Sequence, residues 1–124
     1  MTEVGIVIVS HSKWIAQGLV DLISEVAKDV VLTYVGGTED GGIGTSFEQV
    51  QTIVEANKAE KILAFFDLGS ARMNLELVAD FSDKDIIINN VPIVEGAYTA
   101  AALLQAGADL ATIQEQLKEL EIKK

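Results

Sequence analysis

The chain contains a single histidine, His11, which follows directly after the apolar run at residues 5–9 and Ser10. Imidazole is the side chain that titrates closest to neutral pH, so it can act there as a nucleophile or move a proton. His11 is therefore the first candidate for a catalytic residue. The alternative is that a lone histidine among 124 residues lies in a loop and has no role.

Asp67 is the candidate partner of His11, because it follows a second apolar run at residues 61–66. In open parallel sheets, ligands bind beyond the carboxyl ends of the strands. With the strand order 2-1-3-4, strands one and three are neighbours about 4.8 Å apart, which places His11 beside Asp67. A carboxylate that accepts the Nδ1–H of an imidazole leaves Nε2 unprotonated and stabilises the positive ring that forms when Nε2 attacks an electrophile. Taken alone, Asp67 is also typical of a helix cap or a turn.

Glycines and hydroxyls at the starts of predicted helices indicate a phosphoryl group as the electrophile, since backbone N–H groups there bind phosphate. Gly41, Gly42 and Gly44 precede one helix, and Gly69 with Ser70 begins another. Glycine clusters are also ordinary turns, and serine and threonine are ordinary caps. The candidate phosphate-binding residues are Ser12, Gly37, Gly42, Gly44, Thr45, Ser46, Gly69 and Ser70.

Several kinds of site lack their sequence signature here. The chain has neither a Gly-x-x-x-x-Gly-Lys-Ser/Thr loop nor a Gly-x-Gly-x-x-Gly run, so it supports neither a nucleoside triphosphate site nor a dinucleotide site. One histidine and no cysteine do not supply the usual ligands of zinc. We therefore expect no cofactor and no metal.

Charge and hydropathy limit the partners and the location. The chain has 9 basic and 19 acidic residues, a net charge of −10, whereas proteins that bind nucleic acid carry clustered lysine and arginine. No apolar run reaches the roughly 18 residues of a membrane span, and no basic region precedes the first apolar stretch as in a signal peptide. Without cysteine there are no disulfides. We expect a cytoplasmic protein that binds neither nucleic acid nor membranes.

Apolar runs alternate with segments of helical period along residues 1–124, which we predict to form one domain. The predicted strands are residues 4–9, 30–35, 61–66 and 85–89. Each precedes a helix, and a fifth helix capped by Asp109 follows Gly107, the predicted C-cap of helix four at 96–106. The order β-α-β-α-β-α-β-α-α predicts an α/β fold with an open, mostly parallel sheet and helices on both faces.

The helix period also predicts which side chains face the core. Thr45 and Glu48 fit a capping box that starts helix two. The predicted buried side chains are Ile15, Leu19, Leu22 and Val26 in helix one; Phe47, Val50 and Val54 in helix two; Met73, Leu77, Val78 and Phe81 in helix three; and Leu110, Ile113, Leu117 and Leu120 in helix five.

Trp14 lies about 100° around the helical wheel from Ile15, so we predict that it is partly exposed one turn from His11. Exposed aromatic side chains near a site often anchor a partner. The alternative is that the indole folds over the edge of its own helix. We predict Trp14 and Met73 as partner contacts, and we assign no site role to Arg72.

Four stretches carry a family resemblance: residues 5–12, Gly36-Gly37 with Gly44-Thr45-Ser46, residues 66–74 and residues 90–97. Their most specific parts are the strand-terminal histidine and the run Asp-Leu-Gly-Ser-Ala from Asp67. Essentially the whole chain resembles the DhaM family, the phosphocarrier subunits of phosphoenolpyruvate-dependent dihydroxyacetone kinases. This family is related to the IIA domains of the mannose-type sugar phosphotransferase system (PTS).

The resemblance implies a phosphotransferase subunit that is phosphorylated on histidine by the general phosphocarrier HPr. It implies onward transfer to ADP bound on the DhaL subunit, which phosphorylates dihydroxyacetone held by DhaK. His11 would accept the phosphoryl group through Nε2, and Asp67 would orient it. The resemblance also implies a homodimer.

The chain departs from the pattern in two respects. Mannose-type domains commonly have glycine after the histidine, where this chain has Ser12, as the dihydroxyacetone branch can. Longer members append HPr-like and enzyme I-like domains, so a chain that stops at Lys124 is expected to depend on a separate HPr.

Three other functions stay open. The chain could be the IIA domain of a mannose-type sugar PTS, which the residues alone do not distinguish. A receiver-like signalling module would need an acidic pair after strand one, where this chain has Ser10 and His11. A phosphatase or mutase with a histidine nucleophile would surround the phosphate with arginine, and Arg72 is the only arginine.

Overall fold

A computed structural model describes residues 3–124, so residues 1 and 2 of the predicted domain lie outside it. Four strands and five helices alternate in the predicted order. The elements are β1 (Val4–Ser10), α1 (Lys13–Ser24), β2 (Val31–Gly36), α2 (Phe47–Ala56), β3 (Lys61–Phe66), α3 (Gly69–Phe81), β4 (Asp85–Asn89), α4 (Ile93–Gln105) and α5 (Leu110–Lys118).

The four strands form one parallel sheet in the order β2-β1-β3-β4, so the predicted fold class and strand order are confirmed. In the central pair, Val9 of β1 lies opposite Phe66 of β3. The residues that leave these two strands are Ser10 with His11 and Asp67. The register therefore brings the two candidate residues to the same edge of the sheet.

The two central strands are buried on both faces, as expected for a parallel sheet covered by helices. Alternate residues of β1 point to opposite cores: Ile6 and Ile8 to one, Val7 and Val9 to the other. The first core is closed by α1, α4 and α5, and the second by α2 and α3. His11 and Asp67 thus follow directly after the two strands that are buried on both faces.

Gly36, the last residue of β2, lets α1 begin close against the sheet. A Cβ atom at this position would lie 2.7 Å from both the Ala16 Cβ and the Lys13 Cα, closer than carbon atoms can pack. The turn that carries His11 and Ser12 therefore lies directly on the end of β2. A side chain at residue 36 would displace it.

The predicted buried faces of two helices were partly wrong: Leu19 of α1 and Val78 of α3 are buried as predicted, but the other predicted side chains are not. The side chains of α1 that reach the core are Ala16, Leu19 and Ile23, and those of α3 are Ala71, Leu75 and Val78. Ala16 and Ala71 are small, which lets the two helices approach the sheet closely. The larger predicted side chains Ile15, Leu22, Val26, Met73, Leu77 and Phe81 are exposed.

The predicted start of α2 was also wrong by one residue. Its N-cap is Ser46, whose Oγ accepts a hydrogen bond from the Gln49 N–H at 3.2 Å, and not Thr45. The Thr45 hydroxyl instead accepts from the Asn74 amide of α3 at 2.7 Å. The predicted caps at the other end of the chain are confirmed: Gly107 follows α4 with a φ of 87°, and Asp109 caps α5.

The predicted boundaries of β2 and α4 also shift. Strand β2 begins and ends one residue later than expected, and α4 begins at Ile93, directly after Pro92, rather than at Gly96. Proline suits a helix start because its fixed φ is compatible with the first turn. Across residues 3–124, each helix is too short or too polar to cross a bilayer.

Candidate active site

The site is centred on a direct contact between His11 and Asp67. The Nδ1 atom of the imidazole lies 2.8 Å from the Asp67 Oδ1 atom, and both side chains keep only about a seventh of their surface exposed (15% and 13%). The pairing follows from the register of β1 and β3, since each residue lies just past the end of its strand. The predicted juxtaposition of these two residues is present.

The Asp67 carboxylate accepts three hydrogen bonds besides the one from the imidazole. Its Oδ2 accepts from the Ser10 hydroxyl at 2.8 Å and from the His11 backbone N–H at 2.9 Å. Its Oδ1 also accepts from the Leu68 N–H at 2.8 Å. Four donors converge on one carboxylate, so its position and orientation are fixed before any ligand arrives.

These contacts determine the charge of Asp67. Burial raises the pKa of the carboxyl, but the hydrogen bonds from the His11 N–H, the His11 ring, the Ser10 hydroxyl and the Leu68 N–H outweigh burial. The pKa of Asp67 therefore lies below its ordinary value. At neutral pH the group is a carboxylate and can only accept hydrogen bonds.

An acceptor at Nδ1 fixes the tautomer of His11. The proton must be on Nδ1, which leaves a lone pair on Nε2. That lone pair faces the Ser70 hydroxyl, whose Oγ lies 2.5 Å from Nε2. Ser70 therefore donates to the atom that would act as the nucleophile.

The first turn of α3 adds two backbone donors next to Ser70. Its N-cap, Leu68, has no side chain that can cap the helix, and the N–H groups of Gly69 and Ser70 find no acceptor among residues 3–124. Free N–H groups at a helix N-terminus attract anions. Of the predicted phosphate-binding residues, Ser70 is the one whose side chain contacts Nε2, and Gly69 precedes it in the first turn of α3.

The glycine-rich loop between β2 and α2 uses its N–H groups internally. The Gly37 N–H donates to the Ser10 carbonyl at 3.1 Å, and the Gly44 N–H donates to the His11 carbonyl at 2.8 Å. The Gly42 N–H donates to the side chains of Thr38 and Asp40. In this arrangement Gly37 and Gly44 hold the backbone around His11, and their N–H groups are not free for a ligand.

The other predicted hydroxyls also have structural partners. Ser12 caps α1, its Oγ accepting from the Trp14 and Ile15 N–H groups, and Ser46 caps α2. Thr45 binds Asn74, which joins the glycine-rich loop to α3. Of the hydroxyls of Ser12, Thr45 and Ser46, that of Ser12 is the one in the same turn as His11.

Exposed apolar side chains surround the site. Trp14 is 75% exposed, as predicted, and the Lys13 ammonium lies 5.0 Å from the centre of its ring. Met73 is 63% exposed one turn after Ser70. Leu68 and Ile43 were not predicted, although both are exposed: the Leu68 N–H donates to Asp67, and Ile43 precedes Gly44, whose N–H donates to the His11 carbonyl.

Two further polar residues were missed. Ser10 is fully buried, and its hydroxyl both donates to Asp67 and accepts from the Ser12 N–H at 3.1 Å. The sequence signal for Ser10 is that a polar residue ends an otherwise apolar strand. Lys124 lies against the carboxyl end of β3, with its ammonium 2.6 Å from the Phe66 carbonyl oxygen. Local sequence carries no signal for a contact across 58 residues.

The described part of the chain has no cluster of three or more histidine, aspartate or glutamate side chains that could hold a metal ion. The group that contacts Nε2 is the Ser70 hydroxyl, and the free backbone N–H donors lie in the same first turn of α3. Such donors suit an anion.

Comparison with known families agrees with this geometry. The family model EIIA-man, described as the fructose IIA component of the PTS, matches residues 5–114. The chain belongs to this family. The match includes His11, Asp67 and Ser70, so these three residues lie in the part of the chain that matches EIIA-man.

Two curated EIIA-man relatives are similar over nearly their full length. The chain is 59% identical over 120 residues to the phosphotransferase subunit DhaM of the PTS-dependent dihydroxyacetone kinase of Lactococcus lactis, covering 97% of this chain and 98% of that protein. It is 52% identical over 119 residues to the phosphoryl donor subunit DhaM of dihydroxyacetone kinase 1 from Listeria innocua, covering 96% of each.

Solved structures give the same architecture. A crystal structure of a protein of unknown function, EF1359, superposes with a TM-score of 0.84 at 28% identity and covers 98% of this chain and 97% of its own. A sigma-54 interaction domain protein from Enterococcus faecalis superposes with a TM-score of 0.75, covering 95% of this chain and 90% of its own. At 15% identity, this second likeness shows the fold alone.

Replacing Asp67 by asparagine should make the stability less dependent on pH in the acid range. Because the pKa of Asp67 is lowered in the folded state, its carboxylate stabilises the fold above about pH 4, and this contribution is lost as the pH falls through the folded-state pKa. Urea unfolding at pH 7 and at about pH 3 measures the effect. We expect wild type to exceed Asp67→Asn in free energy of unfolding at pH 7, and the difference to shrink at the lower pH.

Asp83→Asn is the matched control, since it removes the same charge from an exposed position. If the free energies of unfolding of wild type and Asp67→Asn differ by the same amount, or by more, at the lower pH, the carboxylate is not stabilised by its four hydrogen bonds.

Proposed function

We propose that this chain is the phosphoryl donor subunit of a phosphoenolpyruvate-dependent dihydroxyacetone kinase and that it carries the phosphoryl group on Nε2 of His11. The observation that supports this most strongly is the alignment of Asp67, the His11 ring and Ser70, with contacts of 2.8 and 2.5 Å on opposite sides of the imidazole. Two relatives at 59% and 52% identity carry the corresponding name.

The phosphoryl group enters from HPr. The Nε2 lone pair of His11 attacks the phosphorus of phosphorylated HPr, a P–Nε2 bond forms, and the P–N bond in HPr breaks as the HPr imidazole recovers its electron pair. The His11 ring keeps its Nδ1 proton and becomes positively charged, a state that the Asp67 carboxylate stabilises. No metal is needed for this step, because positioning and local donors supply the stabilisation.

Ser70 has two successive roles. Before transfer its hydroxyl donates to Nε2 and holds the ring in place. The incoming phosphorus must displace that hydroxyl, which can then turn and donate to a phosphoryl oxygen together with the free N–H groups of Gly69 and Ser70. The same small set of donors thus serves both the free and the phosphorylated protein.

The phosphoryl group leaves His11 by a second transfer of the same kind. A terminal phosphate oxygen of ADP on the DhaL subunit attacks the phosphorus, the P–Nε2 bond breaks, and His11 recovers its lone pair while ATP forms. The released group then reaches dihydroxyacetone on DhaK. A carrier must not bind phosphate tightly, and hydroxyl and backbone donors hold it less strongly than an arginine clamp would.

A receiver-like function fits the geometry less well. Receivers use an aspartate as the phosphoacceptor, but both oxygens of Asp67 are already occupied by four hydrogen bonds. The reactive lone pair at this site belongs to His11.

The apolar rim of the site is the proposed docking surface for HPr and DhaL. It consists of Trp14, Ile43, Leu68 and Met73, each of which is exposed and adjacent in sequence or by one helical turn to a residue of the site. Partners that exchange a phosphoryl group must approach within bonding distance, so their contact surface has to surround Nε2.

We further propose a homodimer, in line with the family resemblance. The strand β4 is an edge of the sheet and pairs with β3 alone among the described strands.

The carrier function is tested by transfer of labelled phosphate. Incubation with labelled phosphoenolpyruvate, enzyme I and HPr should place acid-labile, base-stable phosphate on the wild-type chain and none on His11→Ala. Asp67→Asn should fold but accept phosphate more slowly by about 100-fold or more, because its ring is no longer held in the reactive tautomer.

Adding DhaL with ADP should then remove the label and form ATP, whereas membrane components of a mannose-type sugar PTS should leave it in place. An unlabelled wild type, or a labelled His11→Ala, would refute the carrier. Transfer to the sugar system instead would leave the carrier in place and reassign its acceptor.

The docking surface is tested by steady-state phosphorylation at varied concentrations of phosphorylated HPr. Trp14→Ala should raise KM by about 5- to 30-fold with kcat little changed, since an exposed anchor contributes to binding and not to the chemical step. Phe81→Ala is the control, because Phe81 is 74% exposed at the other end of α3. Equal KM values for Trp14→Ala and wild type would place the contact elsewhere.

A further inference from the structure

Residues 119–124, which follow α5, cross the end of the sheet at which the strands terminate and the site lies. We call this segment the strap. Its Ile122 N–H donates to the Asn90 carbonyl at the end of β4, at 2.9 Å. The Arg72 guanidinium of α3 donates to the Lys124 carbonyl at 3.4 Å. These contacts bring the strap from the edge strand to the central strand β3.

The Lys124 side chain ends beside Asp67. Its ammonium donates to the carbonyl oxygen of Phe66, the residue directly before Asp67, at 2.6 Å. It also lies 4.2 Å from the centre of the Phe66 ring, within the range of a cation–π interaction. The carbonyl and the ring of Phe66 therefore fix the position of the Lys124 charge.

The position matters because the rest of the molecule is acidic. The net charge is −10, and the site itself holds the Asp67 carboxylate. A phosphoryl group on His11 adds further negative charge a few ångströms away. Like charges at such distances repel unless a cation offsets them.

We propose, on the basis of the function proposed above, that Lys124 is a positioning residue whose charge offsets Asp67 and so favours the phosphorylated state of His11. The strap delivers this charge to a site whose other donors are neutral. Burial lowers the pKa of Lys124, and the charge of Asp67 opposes this shift without cancelling it.

The test is the position of equilibrium between phosphorylated HPr and this chain. Equimolar wild-type chain and phosphorylated HPr are mixed, and the phosphate on each is counted once it stops changing. Lys124→Gln should lower the ratio of phosphorylated chain to phosphorylated HPr by about three- to ten-fold, and Lys124→Arg should restore most of it. Lys123→Gln is the matched control, since it removes the same charge from the adjacent exposed residue.

Each outcome decides between the possibilities. If Lys124→Gln and wild type reach the same ratio, or if Lys124→Arg is as impaired as Lys124→Gln, the charge of Lys124 has no such role. An equal effect of Lys123→Gln would also overturn the proposal, because it would show a general charge effect. If the wild type accepts no phosphate at all, the carrier function itself fails, which is a different result from an unchanged ratio.

Discussion

The carboxylate of Asp67 is the contact on which the site depends. It accepts hydrogen bonds from the ends of two neighbouring strands, namely from Ser10 and His11 after β1 and from Leu68 after β3. Because these donors fix both oxygens, the carboxylate in turn fixes the plane and tautomer of the imidazole. The register of β1 on β3 therefore determines the geometry of the candidate site as well as that of the sheet.

The groups around that contact bear on the repulsion between the Asp67 carboxylate and a bound anion. In the proposed function, an acidic chain accepts an anionic group next to a carboxylate and later releases it. The neutral donors at the start of α3 would stabilise that group without holding it tightly. The strap adds one fixed cation at the carboxyl end of β3. Neutral hydrogen-bond donors with the Lys124 ammonium nearby suit a phosphoryl group that is bound only briefly.

The sequence was sufficient for the fold and for the central pair, and insufficient for what surrounds it. Unbroken apolar runs determine the parallel strands, and the strand order then places His11 beside Asp67. The orientation of α1 and α3 was missed because Ala16 and Ala71 face the sheet, and alanine carries little hydrophobic signal. The glycine N–H groups could not be assigned either, since loop geometry decides whether Gly42 and Gly44 bond within the protein or to a ligand. Lys124 reaches the site only through tertiary packing.

The most direct test of this account is to identify which nitrogen of the single histidine carries the phosphoryl group. Nitrogen NMR of uniformly labelled protein, before and after phosphorylation by HPr, reports this without ambiguity because the chain has one imidazole. The account predicts a proton on Nδ1 in the free protein and phosphorus on Nε2 after transfer. A proton on Nε2 in the free protein, or phosphorus on Nδ1, would contradict it.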